Sequence, residues 1–241
     1  MFTYREELER IEKIGVIPVI TIDEPEKAPD VARALAEGGL PVAEITLRTG
    51  SALESIRRIA AECPDMLVGA GTVLGPIQAL EAAAAGARFI VSPCFNKNVA
   101  RWCVAHHVSF IPGCFTPSEI DAALALKITV VKLFPAEQAG GPGYIKALAG
   151  PFGHVRFIPT GGVTRETIGS YRALQSVLAC GCSWIADSES VRAGDFPRIT
   201  RNAREAVRAA QRPPVVSDAE SGNAGAAGSF QKNPSESGES G

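Results

Sequence analysis

Eight short runs rich in β-branched residues recur along the chain: IGVIPVITI (14–22), VAEITL (42–47), LVGAG (67–71), RFIVSP (88–93), VSFIPG (108–113), ITVVKLF (128–134), VRFIPTGG (155–162) and VLACGCSW (177–184). Between them lie stretches with helical spacing, among them PEKAPDVARALAEGG, SALESIRRIAAECP, PIQALEAAAAGA, NKNVARWCVAHH and PSEIDAALAL. Strand followed by helix, repeated, calls for parallel strands joined by right-handed crossovers. Each unit has about 26 residues, which suits one strand and one helix, so the expected fold is α/β: a closed (β/α)8 TIM barrel near the ~200-residue lower end of its range. An open doubly wound sheet is the competitor, but no GxGxxG follows the first run. Helix starts are expected at Asp23 before Pro25, at Ser51 and at Thr116-Pro117 with Glu119 behind, and helix ends at Gly38-Gly39 and Gly86.

Composition sets the outer limits. Of 241 residues, 46% are hydrophobic and 21% charged, with a net charge of -2, which excludes collagen-like and wholly disordered classes and argues against a nucleic-acid partner. From Pro213 the sequence turns to Gly, Ser, Pro and acid, a composition too poor in apolar surface to offset its ordering entropy. The expected division is a folded domain over 1–212 and a disordered tail over 213–241. No apolar run approaches the ~18 residues of a membrane span, and MFTYREELER is charged and helical in character with no apolar core for a signal peptide. Six cysteines with no CxxC pair fit a reduced, cytoplasmic protein. No metal and no cofactor is expected: His106 and His107 fall on an exterior helix, and no second pair accompanies Cys180 and Cys182.

In such a barrel, chemistry sits at the C-terminal ends of the strands, so polar residues there are the candidates. Lys132 interrupts ITVVKLFP, and alternation puts Val130, Lys132 and Phe134 on one face. A strand-end lysine can snorkel to solvent. A desolvated one favours the neutral amine and becomes a nucleophile toward a ketone. Glu44 shares a face with Thr46 and Arg48 at period two. A buried carboxylate there is either half of a structural ion pair, with Arg48 or Lys132, or a general acid–base group. Arg48 offers a planar fork for a carboxylate, and Thr72 stands just past the third run. The Gly161-Gly162 pair precedes a helix expected to begin near Thr164, which with Ser183 makes a candidate anion site.

These motifs, taken in order, resemble the 2-keto-3-deoxy-6-phosphogluconate / 4-hydroxy-2-oxoglutarate aldolase family. The similarity runs from about Ile11 to Ala210 and rests on PVI (18–20), ALAEGGLPVAEITLRT (34–49), GAGTV (69–73), SP (92–93), IPG (111–113), TPSEI (116–120), VVKLFPAE (130–137), GPF (150–152), PTGGV (159–163) and SW (183–184). The resemblance implies a metal-independent class I aldolase, assembled as a homotrimer and acting on a small keto acid. Lys132 would form an imine with pyruvate's ketone carbon and Glu44 would carry protons. Arg48 and Thr72 would hold the carboxylate, Pro93 and Phe134 would shape the walls, and Gly161, Gly162 and Ser183 would take a phosphate.

The first substrate implied is 2-keto-3-deoxy-6-phosphogluconate, with 4-hydroxy-2-oxoglutarate second. The alternatives are the galactonate epimer or an unphosphorylated acid and, from another class, a catalytically silent sugar-phosphate-binding barrel. The chain departs from the family pattern at Cys182, where glycine is usual, and at Thr167, Arg172 and Cys94. A positive φ at Cys182 would cost about 1 kcal/mol or more, and its side chain would crowd the anion. The expected consequence is weak discrimination between phosphorylated and unphosphorylated substrates.

Overall fold

A computed structural model describes residues 4–211; the tail expected over 213–241 lies outside them. In chain order the elements are α1 (Tyr4–Ile14), β1 (Val16–Ile20), a short 3-10 turn (Pro25–Lys27), α2 (Ala28–Glu37), β2 (Val42–Thr46), α3 (Ala52–Glu62), β3 (Leu67–Gly71), α4 (Pro76–Ala84), β4 (Phe89–Val91) and α5 (Lys97–Ala105). There follow β5 (Ser109–Ile111), β6 (Gly113–Cys114), α6 (Pro117–Leu124), β7 (Val130–Leu133), α7 (Gly141–Ala149), β8 (Arg156–Pro159), α8 (Ile168–Arg172), β9 (Cys180–Cys182), α9 (Ser188–Ala193) and α10 (Phe196–Ala210).

The ladders are parallel. One sheet has the order β5-β4-β3-β2-β1-β9 and the other β6-β7-β8. The fifth run yields two strands rather than one because Pro112 lies inside it, and proline has no N–H for a ladder; its carbonyl still accepts from Lys132 N at 2.8 Å. At the other edge, parallel bridges pair Phe157 with Val177 and Thr160 with Gly181, joining β8 to the β9 segment.

Alternation along each strand sorts apolar side chains into two cores. Ile17, Val42, Leu67, Phe89, Val91 and Ile111 of the larger sheet meet Val130 and Ile158 of the smaller one, with Ile11 of α1 against them. The opposite faces carry Val16, Ala43, Ile45, Val68, Ile90, Val131 and Phe157 into a second, larger core with the helices. The helix α1 sits at the N-terminal ends of the strands. Its buried Glu7 accepts from Arg88 at 2.8 Å, and its Glu12 accepts from Arg156 at 2.7 Å. The inner core is therefore covered at that end and open at the other.

Local expectations fare unevenly. The helix start expected at Thr116-Pro117 is found, with Thr116 and Glu119 forming a capping box, and Gly39 and Gly86 take left-handed φ after their helices. Asp23 caps nothing: Glu24 holds the N-cap position of the 3-10 turn. The Ser51 hydroxyl, although at the N-cap of α3, donates instead to Ile22 O at 2.7 Å. Helix α8 begins at Ile168, not Thr164; Thr164 and Thr167 make a turn in which the Thr164 N–H donates to the Thr167 hydroxyl at 2.9 Å. Cys182 has no positive φ, the non-glycine residues with one being Thr72, His107 and Lys127 among those described.

Candidate active site

The open end holds a pocket of about 400 Å³. Every residue singled out for substrate contact lines it: Arg48, Thr72, Pro93, Phe134, Gly161, Gly162 and Ser183, together with Lys132. Residues at five or more strand ends converge there because parallel strands all finish on the same side.

The amine of Lys132 lies at the floor. Its side chain is 7% exposed, and Nζ stands 3.4 Å from Oε1 of Glu44, itself 4% exposed. Register explains the meeting. Glu44 pairs with Val19 on one side and Gly69 on the other, while Lys132 pairs with Gly113 and Ile158. Each stands one inward step above a bulky residue, Val42 below Glu44 and Val130 below Lys132. They reach toward each other across the space between the sheets. Neither side chain points to bulk water, and each is the other's counter-charge. The ring of Phe134 lies 5.4 Å from the ammonium nitrogen.

Space for the carboxylate is made by Gly71. A Cβ at that position would come within 2.7 Å of both Cδ and Cγ of Glu44 and nearer still to Oε1. Immediately after it, Thr72 adopts φ +58, a region that is rare for a β-branched residue. The wall between β1 and β2 is a hydroxyl chain. Thr46 Oγ1 donates to Ile20 O at 3.2 Å, which uses its one proton, so Thr21 donates to Thr46 across 2.9 Å.

At the far end the pocket is lined by Thr160, Gly161, Gly162, Val163, Gly181, Ser183, Ala186, Asp187 and Ser188. Gly161 and Gly162 both have positive φ. Cys182 is absent from the lining and is buried with Cys180 in the outer core. Alternation turns Gly181 inward and its two cysteine neighbours outward, so Cys182 does not crowd the pocket. Arg172 is buried elsewhere and donates to the carbonyls of Leu178 and Ala210. Thr167 is occupied in the turn before α8 and lines no part of the pocket.

Sequence reasoning missed Thr21, Thr160, Asp187 and Ser188. Thr21 and Thr160 continue the inward phase set by Ile17 and Ile158, so alternation carried past the strand ends would have found them. Asp187 and Ser188 belong to a loop and a helix start, where no such period exists. The histidine pair His106 and His107 is exposed at the end of α5 as anticipated, with His106 stacked on Trp102.

A parallel α/β scaffold with a pocket at the strand C-terminal ends and a buried lysine–carboxylate pair against it is the class of protein that the fold and site define. The particular family is settled by comparison. The sequence model of the KDPG and KHG aldolase family matches residues 8–202, and the chain belongs to that family. It is 46% identical over 200 residues to a 2-dehydro-3-deoxy-phosphogluconate aldolase of Treponema pallidum, spanning 83% of this chain and 95% of that one. The structure resembles the 2-keto-3-deoxy-6-phosphogluconate aldolase of Zymomonas mobilis solved with 3-phosphoglycerate, at TM-score 0.80 and 37% identity, covering 85% of this chain and 96% of that one. It also resembles a Legionella pneumophila KDPG aldolase with pyruvate captured as a covalent carbinolamine, at TM-score 0.78 and 38% identity, covering 80% and 93%.

Proposed function

We propose that this chain is a class I aldolase that cleaves 2-keto-3-deoxy-6-phosphogluconate to pyruvate and glyceraldehyde 3-phosphate through an imine on Lys132. In the same way it would split 4-hydroxy-2-oxoglutarate to pyruvate and glyoxylate. The observation that carries this reading is the buried 3.4 Å contact between Lys132, which lines the pocket, and Glu44, which stands behind it and does not line the pocket itself. An ion pair in that position stores the proton needed for both halves of imine chemistry. Transfer from the ammonium to the carboxylate frees the amine to attack the C2 ketone, and the resulting carbinolamine loses water as the carboxyl returns a proton to its hydroxyl.

The protonated imine is an electron sink. Glu44, again a carboxylate, takes the proton of the C4 hydroxyl while the C3–C4 bond breaks; its electrons pass into the enamine and the aldehyde departs. Protonation of the enamine at C3 and hydrolysis of the imine release pyruvate and restore the lysine. General acid–base work of this kind contributes about 10²–10⁴-fold. Arg48 and Thr72 hold the substrate carboxylate, Pro93 and Phe134 bound the reacting carbons, and Gly161, Gly162 and Ser183 receive the far end. The Zymomonas neighbour's 3-phosphoglycerate and the Legionella neighbour's covalent pyruvate support a pocket of this kind.

The same proposal takes the two parallel sheets as one closed (β/α)8 barrel. The chain runs from β5 to β6 across one seam and the Phe157–Val177 and Thr160–Gly181 bridges cross the other. The described residues, 4–211, form its one folded domain. No described helix is long and apolar enough to cross a membrane. A cytoplasmic homotrimer with no nucleic-acid partner fits the family resemblance, the composition and the free cysteines, and the exposed Leu74, Ile77 and Leu80 offer apolar surface for assembly.

Incubation with pyruvate, reduction with borohydride and mass measurement tests the central claim. A pyruvyl adduct in the parent protein that is lost in Lys132→Ala supports it; a parent protein without adduct defeats it.

A further inference from the structure

The charged residues that line the pocket are Arg48, Lys132 and Asp187. The two cations stand at the floor and on the carboxylate side. Asp187 lines the pocket together with Ser183, Ser188 and the Gly161-Gly162 turn. Among the described residues no lysine or arginine lines that end; Arg198 reaches it only through Asp187, and an anion there would be held by backbone N–H groups and hydroxyls.

Asp187 is the N-cap of α9, and its Oδ1 accepts from Ser190 N at 2.8 Å. Its Oδ2 accepts from Arg198 at 3.1 Å. The same guanidinium also stands 3.9 Å from the exposed Glu189, so two carboxylates share one cation and the corner carries one more negative than positive charge. Arg192, on the next turn of α9, is tied to the Ser188 carbonyl at 3.1 Å and does not line the pocket. Burial works against the Asp187 charge, but the donors of Ser190 and the Arg198 charge hold its carboxyl below the usual range. The group is a carboxylate at neutral pH.

We infer that Asp187 sets the charge preference at the far end of the pocket, so that the enzyme accepts 2-keto-3-deoxy acids ending in a neutral hydroxymethyl group nearly as well as those ending in a phosphate dianion. This rests on the aldolase reading above and moves the cause of weak phosphate discrimination from Cys182, which faces the outer core, to an acid that lines the pocket. The carboxylate repels a dianion and accepts hydrogen bonds from hydroxyls, and Ser183 and Ser188 extend the same polar surface.

The test compares kcat/KM for 2-keto-3-deoxy-6-phosphogluconate with that for 2-keto-3-deoxygluconate in the parent protein, Asp187→Asn and Arg198→Gln. Asparagine caps a helix as well as aspartate does, so Asp187→Asn keeps α9 while removing the charge. The ratio of phosphorylated to unphosphorylated kcat/KM should rise about fivefold to tenfold in Asp187→Asn, as expected of one screened charge near the phosphate. It should fall in Arg198→Gln, where the two carboxylates lose their shared cation. A parent enzyme that strongly prefers the phosphorylated acid, or an Asp187→Asn ratio equal to the parent's, overturns the inference. The pyruvate–borohydride adduct, measured in all three proteins, keeps the readings apart: an adduct with an unmoved ratio sinks only the role of Asp187, whereas no parent adduct sinks the aldolase reading itself.

Discussion

Replacing Gly71 by alanine should disable the enzyme by moving a carboxylate that the new methyl group displaces. Gly71 is not among the positive-φ glycines, so alanine meets no backbone objection. The objection is steric. The added Cβ would stand 2.7 Å from Cδ and Cγ of Glu44, against the ~3.5–4.0 Å at which carbon atoms rest. Glu44 must retreat by about an ångström, and its 3.4 Å contact with Lys132 cannot survive that shift in its present geometry. Misplacement of a catalytic group by ~1 Å costs about 10²-fold, and complete loss of acid–base help about 10⁴-fold. The expected fall in kcat/KM lies between those limits.

Stability should change far less. Overpacking costs about 1–3 kcal/mol, and the stiffer unfolded chain returns about 0.4–1 kcal/mol. The melting temperature should therefore drop by only a few degrees for a fold of this size. Steady-state rates, thermal unfolding and pyruvate–borohydride trapping would be followed together, with trapping expected to slow alongside turnover. Shortening the displaced side chain supplies the control: Gly71→Ala with Glu44→Asp should recover about tenfold over Gly71→Ala alone, a positive coupling between neighbours. A folded Gly71→Ala protein with parental kcat/KM would refute the reasoning, as would a double variant no better than the additive sum.

Thr72 holds φ +58, a conformation that asparagine adopts at lower cost than threonine. Thr72→Asn should raise stability by about 1 kcal/mol, or ~2–4 °C in melting temperature, while lowering kcat/KM for the keto acid; a lowered melting temperature would show that the backbone there is unstrained. Glu119 is opposed by its own partial burial but held below the usual carboxylate range by the N–H groups of Phe115 and Thr116 and the Thr116 hydroxyl. A depressed carboxyl stabilises above its unfolded value of ~4.3 and loses that contribution as pH falls through the folded one. Unfolding of parent and Glu119→Gln by denaturant between pH 6 and 3 should converge at the acid end, and curves that stay parallel would count against the capping box as a pH-sensitive element. Burial pushes the thiols of Cys103, Cys114 and Cys180 up to about 12, whereas Cys94 is exposed. Iodoacetamide at pH 8 should label Cys94 in the native protein and spare those three; early labelling of Cys180 would show that the β9 segment opens.

The strand–helix alternation was readable because each parallel strand is buried on both faces and leaves an apolar run that surface helices do not share. Lys132 and Glu44 were readable for the converse reason, since a charge inside such a run is costly without a partner. What did not follow was anything set by loops. The turn after Gly162 delays α8 to Ile168, and Asp187 reaches the pocket from a helix cap that no period predicts. The Cys182 expectation failed on a rule that was available: period two puts Cys180 and Cys182 together on the face opposite Gly181, and a residue out of phase with the inward set cannot crowd the pocket.

That phase also says how the pocket comes to exist. Along β3 the inward positions run Leu67, Gly69, Gly71, and along the β9 segment Ala179, Gly181; the bulky or apolar member comes first and glycine follows toward the open end. Leu67 and Ala179 belong to the inner core, while Gly181 lines the pocket and Gly71 makes way for Glu44. A Cβ at Gly181 would lie 3.1 Å from Cβ of Thr160, closing the gap through which Thr160 faces the substrate space. A core at native packing density has no room for a ligand, so a site inside one must be made by leaving side chains out. Here that is done at Gly181, in phase with the inward residues and near a strand C-terminal end, while the room left by Gly69 and Gly71 is taken by the side chains of Phe89 and Glu44. Gly181, in that phase and at that end, thus leaves the room into which Thr160 and the lysine of the same inward phase face.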